Sequence, residues 1–174
     1  QFGSAFDATL RLWARGYEWT RAVVVKATSS AGRLAVPLLA ARPESRALCL
    51  NLAAEPYLAT LLAGRNSADD LRGHGPGRIR RLQARSTVPV GPLHQMSPGE
   101  MAALGWLIET ASQQEALGQF PGRIIAFDFD AFLKALPDSM DRLLGHFGLP
   151  RDERYLAGIG TSMILQRYSK APEQ

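Results

Sequence analysis

The sequence predicts an α/β domain of three layers, a parallel sheet between two layers of helices. Short, continuous apolar runs at Ala22–Lys26, Arg46–Asn51 and Arg123–Phe127 read as strands covered on both faces. Segments of helical periodicity lie between them, and that alternation is the pattern of crossover connections. The 174 residues, 46% apolar and 21% charged, have the composition of one globular domain, able to bury roughly 70% of its unfolded surface.

The first element is a helix over Gln1–Gly16, where Phe2, Phe6, Leu10 and Trp13 recur at helical spacing and Gly16 stands as a terminator. The β-branched run Val23-Val24-Val25 then predicts the first strand. A helix over Ala31–Ala41, closed by Arg42-Pro43, leads to the second strand, whose core is Ala47-Leu48-Cys49-Leu50. Pro56 sits in the first turn of a helix running to about Gly64. The stretch from Arg65 to Pro98 is crowded with glycine, proline and arginine, and reads as loops around a short helix at Ile79–Ala84.

Ser97-Pro98-Gly99-Glu100 combines an N-cap, a proline at the first helical position and a capping glutamate. A long helix from Pro98 to about Leu117, stopping at Gly118, follows from it. Gly122–Asp128 holds the third strand, Ile124-Ile125-Ala126-Phe127. Beyond it, Asp130 reads as the N-cap of Ala131–Leu136 and Asp128 as a structural partner for a basic residue; the pair also has the make-up for acid–base or metal chemistry. Helices over Asp138–Phe147, ended by Gly148-Leu149-Pro150, and over Asp152–Ala157 come next, and Gln166–Gln174 reads as irregular. Three strands are few for such a sheet. A first strand and its loop are therefore expected upstream of Gln1.

Composition narrows the function classes. No apolar run approaches the roughly 18 residues of a membrane span, and no secretory leader opens the sequence. The single cysteine, Cys49, excludes an internal disulfide and a cysteine metal cluster, and reads as a core thiol. His74, His94 and His146 lack ligand spacing, so no metal is expected. A reducing, cytoplasmic compartment fits this pattern. The net charge of +4, with arginine far outnumbering lysine, suits an anionic partner. The densest basic cluster is Arg72, Arg78, Arg80, Arg81 and Arg85. It lacks interleaved aromatics and motif spacing, which argues against nucleic acid. With Gly73-His74-Gly75-Pro76-Gly77 it reads either as a flexible phosphate-binding loop or as a solvated basic face; no Walker sequence is present.

In open parallel sheets, ligands bind beyond the carboxyl ends of the strands. After the first predicted strand comes Lys26-Ala27-Thr28-Ser29-Ser30-Ala31-Gly32-Arg33. It offers an ammonium, three hydroxyls, a guanidinium and a helix N-terminus to an oxyanion. The competing reading makes Ser29 or Ser30 an N-cap and Lys26 the wet end of a strand. After the second strand, Asn51 and Thr60 either bond a ligand or satisfy local backbone.

The order of these segments resembles the sulfotransferase family. Val23-Val24-Val25-Lys26-Ala27-Thr28-Ser29-Ser30, a helix, and then Pro43-Glu44-Ser45-Arg46-Ala47-Leu48-Cys49-Leu50 are similar to that family's lysine-ended strand, helix and following strand. The segment Gly122-Arg123-Ile124-Ile125-Ala126-Phe127-Asp128-Phe129-Asp130 resembles a later strand of the family. His146-Phe147-Gly148-Leu149-Pro150 resembles its turn, and Arg167-Tyr168-Ser169-Lys170 the tail of bacterial members. The resemblance covers most of Val23–Glu173 and makes residues 1–174 the C-terminal portion of a single sulfotransferase-like domain on a P-loop-like sheet.

What the resemblance implies is transfer of a sulfuryl group from 3′-phosphoadenosine 5′-phosphosulfate (PAPS) to the hydroxyl or amine of a small-molecule or glycan acceptor. Lys26 and Thr28 then fall at catalytic positions. Ser29, Ser30, Arg33, Thr60, Ser169 and Lys170 fall at positions that hold the nucleotide. Three departures stand out. The family's Gly- and Ser/Thr-rich phosphosulfate loop is absent from these residues, Thr28 stands where many members have a histidine, and Leu52 where they have an arginine. A binding protein on the same scaffold and a nucleotide kinase are the rival classes.

Overall fold

The structure is a computed structural model that describes residues 2–64, 67–160 and 162. It is a mixed α/β, mainly helical fold with a small parallel sheet of two strands. The elements are α1 (Phe2–Trp13), a 3-10 segment (Ser29–Leu34) running into α2 (Ala35–Ala41), β1 (Ala47–Asn51), α3 (Ala54–Ala63) and α4 (Ser67–Gln83). A 3-10 turn at Leu93–Gln95 precedes α5 (Pro98–Gln119), then β2 (Ile124–Asp128), α6 (Phe129–Lys134), α7 (Leu136–Phe147) and α8 (Glu153–Gly160).

The second and third predicted strands form as expected and lie side by side, parallel, with Ala47 opposite Ile124 and Asn51 opposite Asp128. Their cover is incomplete, and Leu50 is exposed. The first predicted strand does not form. Val23, Val24 and Val25 form no regular secondary structure and are exposed, Val24 at 75%, and no backbone ladder reaches them among the described residues. β-Branched residues fit a pleated surface, but a strand exists only where a neighbouring backbone pairs with it. Upstream, the Thr20 amide donates to the Tyr17 carbonyl, and Tyr17 stacks on Trp19, rings 5.5 Å apart.

The predicted helix over Ala31–Ala41 is split. Pro37 lacks an amide and its ring would clash with the carbonyl of Arg33, so regular α geometry starts only at Ala35 and the preceding residues wind more tightly. Leu39 of α2 is fully buried and packs with Ala116 of α5 and Ile124 of β2. Cys49 lies against this cluster, half-buried, and burial pushes its thiol pKa up.

α5 organises the rest. Ser97 and Glu100 form the complete capping box, the Glu100 amide donating to the Ser97 hydroxyl and the Ser97 amide to the Glu100 carboxylate. Met101 and Ala102 pack on Leu71 of α4 beneath Leu58 and Leu61 of α3, while Ala116, about four turns on, meets α2 and the sheet. One helix thus carries two cores, one near its start and one near its end.

The stretch predicted as loops around a short helix is instead the 17-residue α4, with Pro76 inside it. Packing overrides the poor propensity of its three glycines. Gly75 is buried against Leu93, whose Cδ1 lies only 2.5 Å from where a β-carbon would stand. The capping aspartate after β2 is Asp128, not Asp130: its Oδ1 accepts from the Ala131 amide at 2.9 Å, which places Asp130 within the first turn of α6. The Gly148 turn forms as expected, at φ +66°, with the Leu149 amide donating to the Leu144 carbonyl. No helix among the described residues is long and apolar enough to cross a membrane.

Candidate functional site

β1 and β2 end together, so Asn51 and Asp128 sit side by side at the carboxyl edge of the sheet. Asp128 is engaged in its cap. The loop after β1 is fixed from the other side, because the Trp106 indole of α5 donates to the Leu52 carbonyl at 3.0 Å.

The chemistry concentrates on α4. Asp70, His74, Arg78 and Arg81 follow at helical spacing, so one face of the helix carries three basic groups and one carboxylate. His74 Nε2 lies 3.4 Å from Asp70 Oδ1, and Arg78 Nη2 lies 3.9 Å from Asp70 Oδ2. Arg78 is only 5% exposed. Its guanidinium and the Tyr57 hydroxyl both come within van der Waals reach of Gly105 on α5. Burial pushes the Tyr57 phenol up; the positive Arg78 opposes this, and Glu109 and Asp70 add to it. Arg81 Nη2 donates to Glu109 Oε1 at 2.7 Å. The other Glu109 oxygen lies 3.0 Å from where a β-carbon on Gly32 would stand, so the segment after the valines packs directly on this ion pair.

That packing brings Arg33 to the same place. Arg33, His74, Arg78, Arg80 and Arg81 line a polar cavity of about 180 Å³ whose remaining wall is the glycine- and proline-rich turn of α4. Several buried polar atoms here have no hydrogen-bond partner among the described residues: Arg78 Nη1, Arg81 Nε and Nη1, Glu109 Oε2 and Gln113 Oε1. A second, open groove of about 690 Å³ is apolar and lined by Leu82, Val90, Met96, Leu104, Trp106 and Leu107 among others. α4 contributes to both: Leu82 turns to the groove and its neighbour Arg81 to the cavity.

The residues singled out from sequence are only partly brought together. Arg33 lines the basic cavity. Lys26 is exposed before the 3-10 segment and lines neither cavity, and Thr60 is exposed on α3. Thr28 is the residue before the 3-10 segment, and its side chain does not cap it. Ser29 and Ser30 follow it on the backbone path, their side chains outside the described atoms; Ser169 and Lys170 lie outside the described residues. The arginine cluster is neither a flexible loop nor a wholly solvated face. The signal that marks this face in the sequence is the spacing from Asp70 through His74 and Arg78 to Arg81, which a segment interrupted by glycine and proline obscures.

No known protein family, no curated protein and no solved structure matches this chain.

Proposed function

We propose that the chain is part of a PAPS-dependent sulfotransferase. The observation that carries this reading is the parallel, adjacent pairing of β1 and β2, the strands in which the family-like motifs fall. The arginine cavity beside the segment that follows Lys26 supports it, because a phosphosulfate nucleotide presents oxyanions on every side. In this reading the Ala22–Lys26 run belongs to a larger, three-layer parallel sheet of the P-loop type. The acceptor oxygen or nitrogen attacks sulfur, the bond from sulfur to the bridging phosphate oxygen breaks, and 3′-phosphoadenosine 5′-phosphate leaves with that oxygen. Lys26, by the resemblance, meets the charge that builds on it. A protein base takes the acceptor proton. A cytoplasmic setting accords with the donor and with a lone cysteine.

The test is transfer of radiolabelled sulfate from PAPS to a panel of phenols, alcohols, amines and glycans. Label should appear in at least one class and fall about a hundredfold in Lys26→Met. No transfer to any class would leave the second reading, a non-catalytic ligand-binding protein. Leu52, in place of the family's arginine, favours that alternative.

A further inference from the structure

We infer that the cavity between the Ser29–Leu34 segment and α4 is a binding site for one doubly charged tetrahedral oxyanion, a sulfate or phosphate group. The inference stands apart from sulfuryl transfer and requires no chemistry at the site.

Charge is the first argument. Arg33, Arg78, Arg80 and Arg81 face this space, and the carboxylates beside it are Asp70 and Glu109. Two positive charges are therefore in excess, matching a dianion, with His74 able to add a donor. The second argument is unmet hydrogen bonding. Arg78 is 5% exposed, and its Nη1, with Nε and Nη1 of Arg81, is buried without an acceptor among the described residues. Leaving charged donors unpaired inside a protein is expensive, and a planar guanidinium is the group best matched to a tetrahedral oxyanion. Asp70 does not serve in this role, since it is half exposed and stands 3.9 Å from Arg78 Nη2.

Size is the third. A volume of about 180 Å³ holds roughly six waters at about 30 Å³ each, enough for a tetrahedral oxyanion and its residual hydration. It falls below the roughly 300 Å³ at which pockets begin to enclose organic ligands, so any carrier of the oxyanion extends out of the mouth. Gly73 and Gly77 form part of the wall, and a β-carbon at either would meet nothing within 4 Å. The wall is therefore open at these two positions.

The experiment is a thermal and calorimetric titration of the protein with sodium phosphate and sodium sulfate against sodium chloride of equal ionic strength. At 20 mM oxyanion and millimolar affinity, linkage raises the melting temperature by about 5 °C over the chloride control. Arg33→Gln and Arg80→Gln are exposed changes that leave the fold intact. Each should weaken the oxyanion about fivefold or more, and Arg78→Gln more than tenfold where that variant folds. Arg11→Gln, on α1, should change nothing. Adenosine 5′-monophosphate and 3′-phosphoadenosine 5′-phosphate distinguish the source. Nucleotide affinity far above that of inorganic phosphate, lost in the same variants, means the oxyanion arrives on a nucleotide; equal affinity means it arrives free. A response to phosphate and sulfate no larger than to chloride overturns the inference, as does undiminished binding in both Arg33→Gln and Arg80→Gln. A protein that binds phosphate here yet transfers no sulfuryl group refutes the sulfotransferase reading and leaves this one standing.

Discussion

Replacing Arg123 with methionine should be among the most damaging single changes in the fold. Arg123 stands just before β2, and its side chain reaches across to the end of α2. Nη2 donates to the carbonyls of Leu39 at 2.9 Å, Arg42 at 2.6 Å and Ser45 at 3.0 Å, and Nε reaches the Ser45 carbonyl at 3.2 Å. The guanidinium also lies 5.3 Å from the centre of the Phe120 ring. Leu39 lies in the last turn of α2 and Arg42 is its C-cap, where carbonyls have no intrahelical partner, so one cation satisfies a helix end and a loop together. A hydrogen bond to a charged group is worth about 1.5–3 kcal/mol net. Several share one donor nitrogen here and the side chain is partly exposed, so the sum is held to about 3 kcal/mol. At roughly 2–4 °C per kcal/mol for a chain of this length, Arg123→Met should lower the melting temperature by about 6–12 °C. Arg123→Lys should recover only part, because lysine has no second nitrogen to take the place of Nε at the Ser45 carbonyl and no planar group to lie over the Phe120 ring. Circular dichroism melts with urea unfolding at a constant m-value are the assay. A shift below about 2 °C, or full rescue by lysine, would refute the reasoning.

Three further outcomes follow from particular contacts. Gly75→Ala in α4 should destabilise, because its β-carbon would lie 2.5 Å from Leu93 Cδ1, at an overpacking cost of about 1–3 kcal/mol that exceeds the gain in helix propensity; Gly118→Ala in α5, with open space around it, should stabilise by up to about 1 kcal/mol, both read from urea midpoints. Hydrogen bonds from Ser97 hold the Glu100 carboxyl below its ordinary range, so the cap's contribution is present at neutral pH and is lost as pH falls through the depressed value. Wild type should therefore lose stability on acidification more steeply than Glu100→Gln, and parallel pH profiles would contradict this. In the sulfotransferase reading, Lys26→Met should depress turnover about a hundredfold at an unchanged melting temperature, since Lys26 is exposed. Near-full activity would remove Lys26 from the chemistry.

What the sequence made legible was local or self-contained. Ser97, Pro98 and Glu100 specify a helix start within four residues, and the structure shows every bond of that cap. The apolar cores of β1 and β2 predicted two strands and their parallel relation. Where the outcome depended on distant partners, the pattern misled. The valines before Lys26 have strand propensity, but pairing is a property of two segments, and no described strand pairs with them. α4 was hidden for the opposite reason, since Gly73, Gly75, Pro76 and Gly77 argue against a helix that Met101, Ala102 and Leu93 hold in place from outside. The same difficulty hid the basic cavity. Arg33 and Arg78 are 45 positions apart in the sequence, and the packing of the Ser29–Leu34 segment on α5 brings them to one wall.

The most direct measurement of the functional reading is calorimetric titration with 3′-phosphoadenosine 5′-phosphate at moderate salt, with ATP as comparison. If the chain holds the donor's nucleotide as proposed, measurable heat with 3′-phosphoadenosine 5′-phosphate and weaker binding of ATP is the predicted result. No heat with the sulfonucleotide product, or a clear preference for ATP, would contradict it.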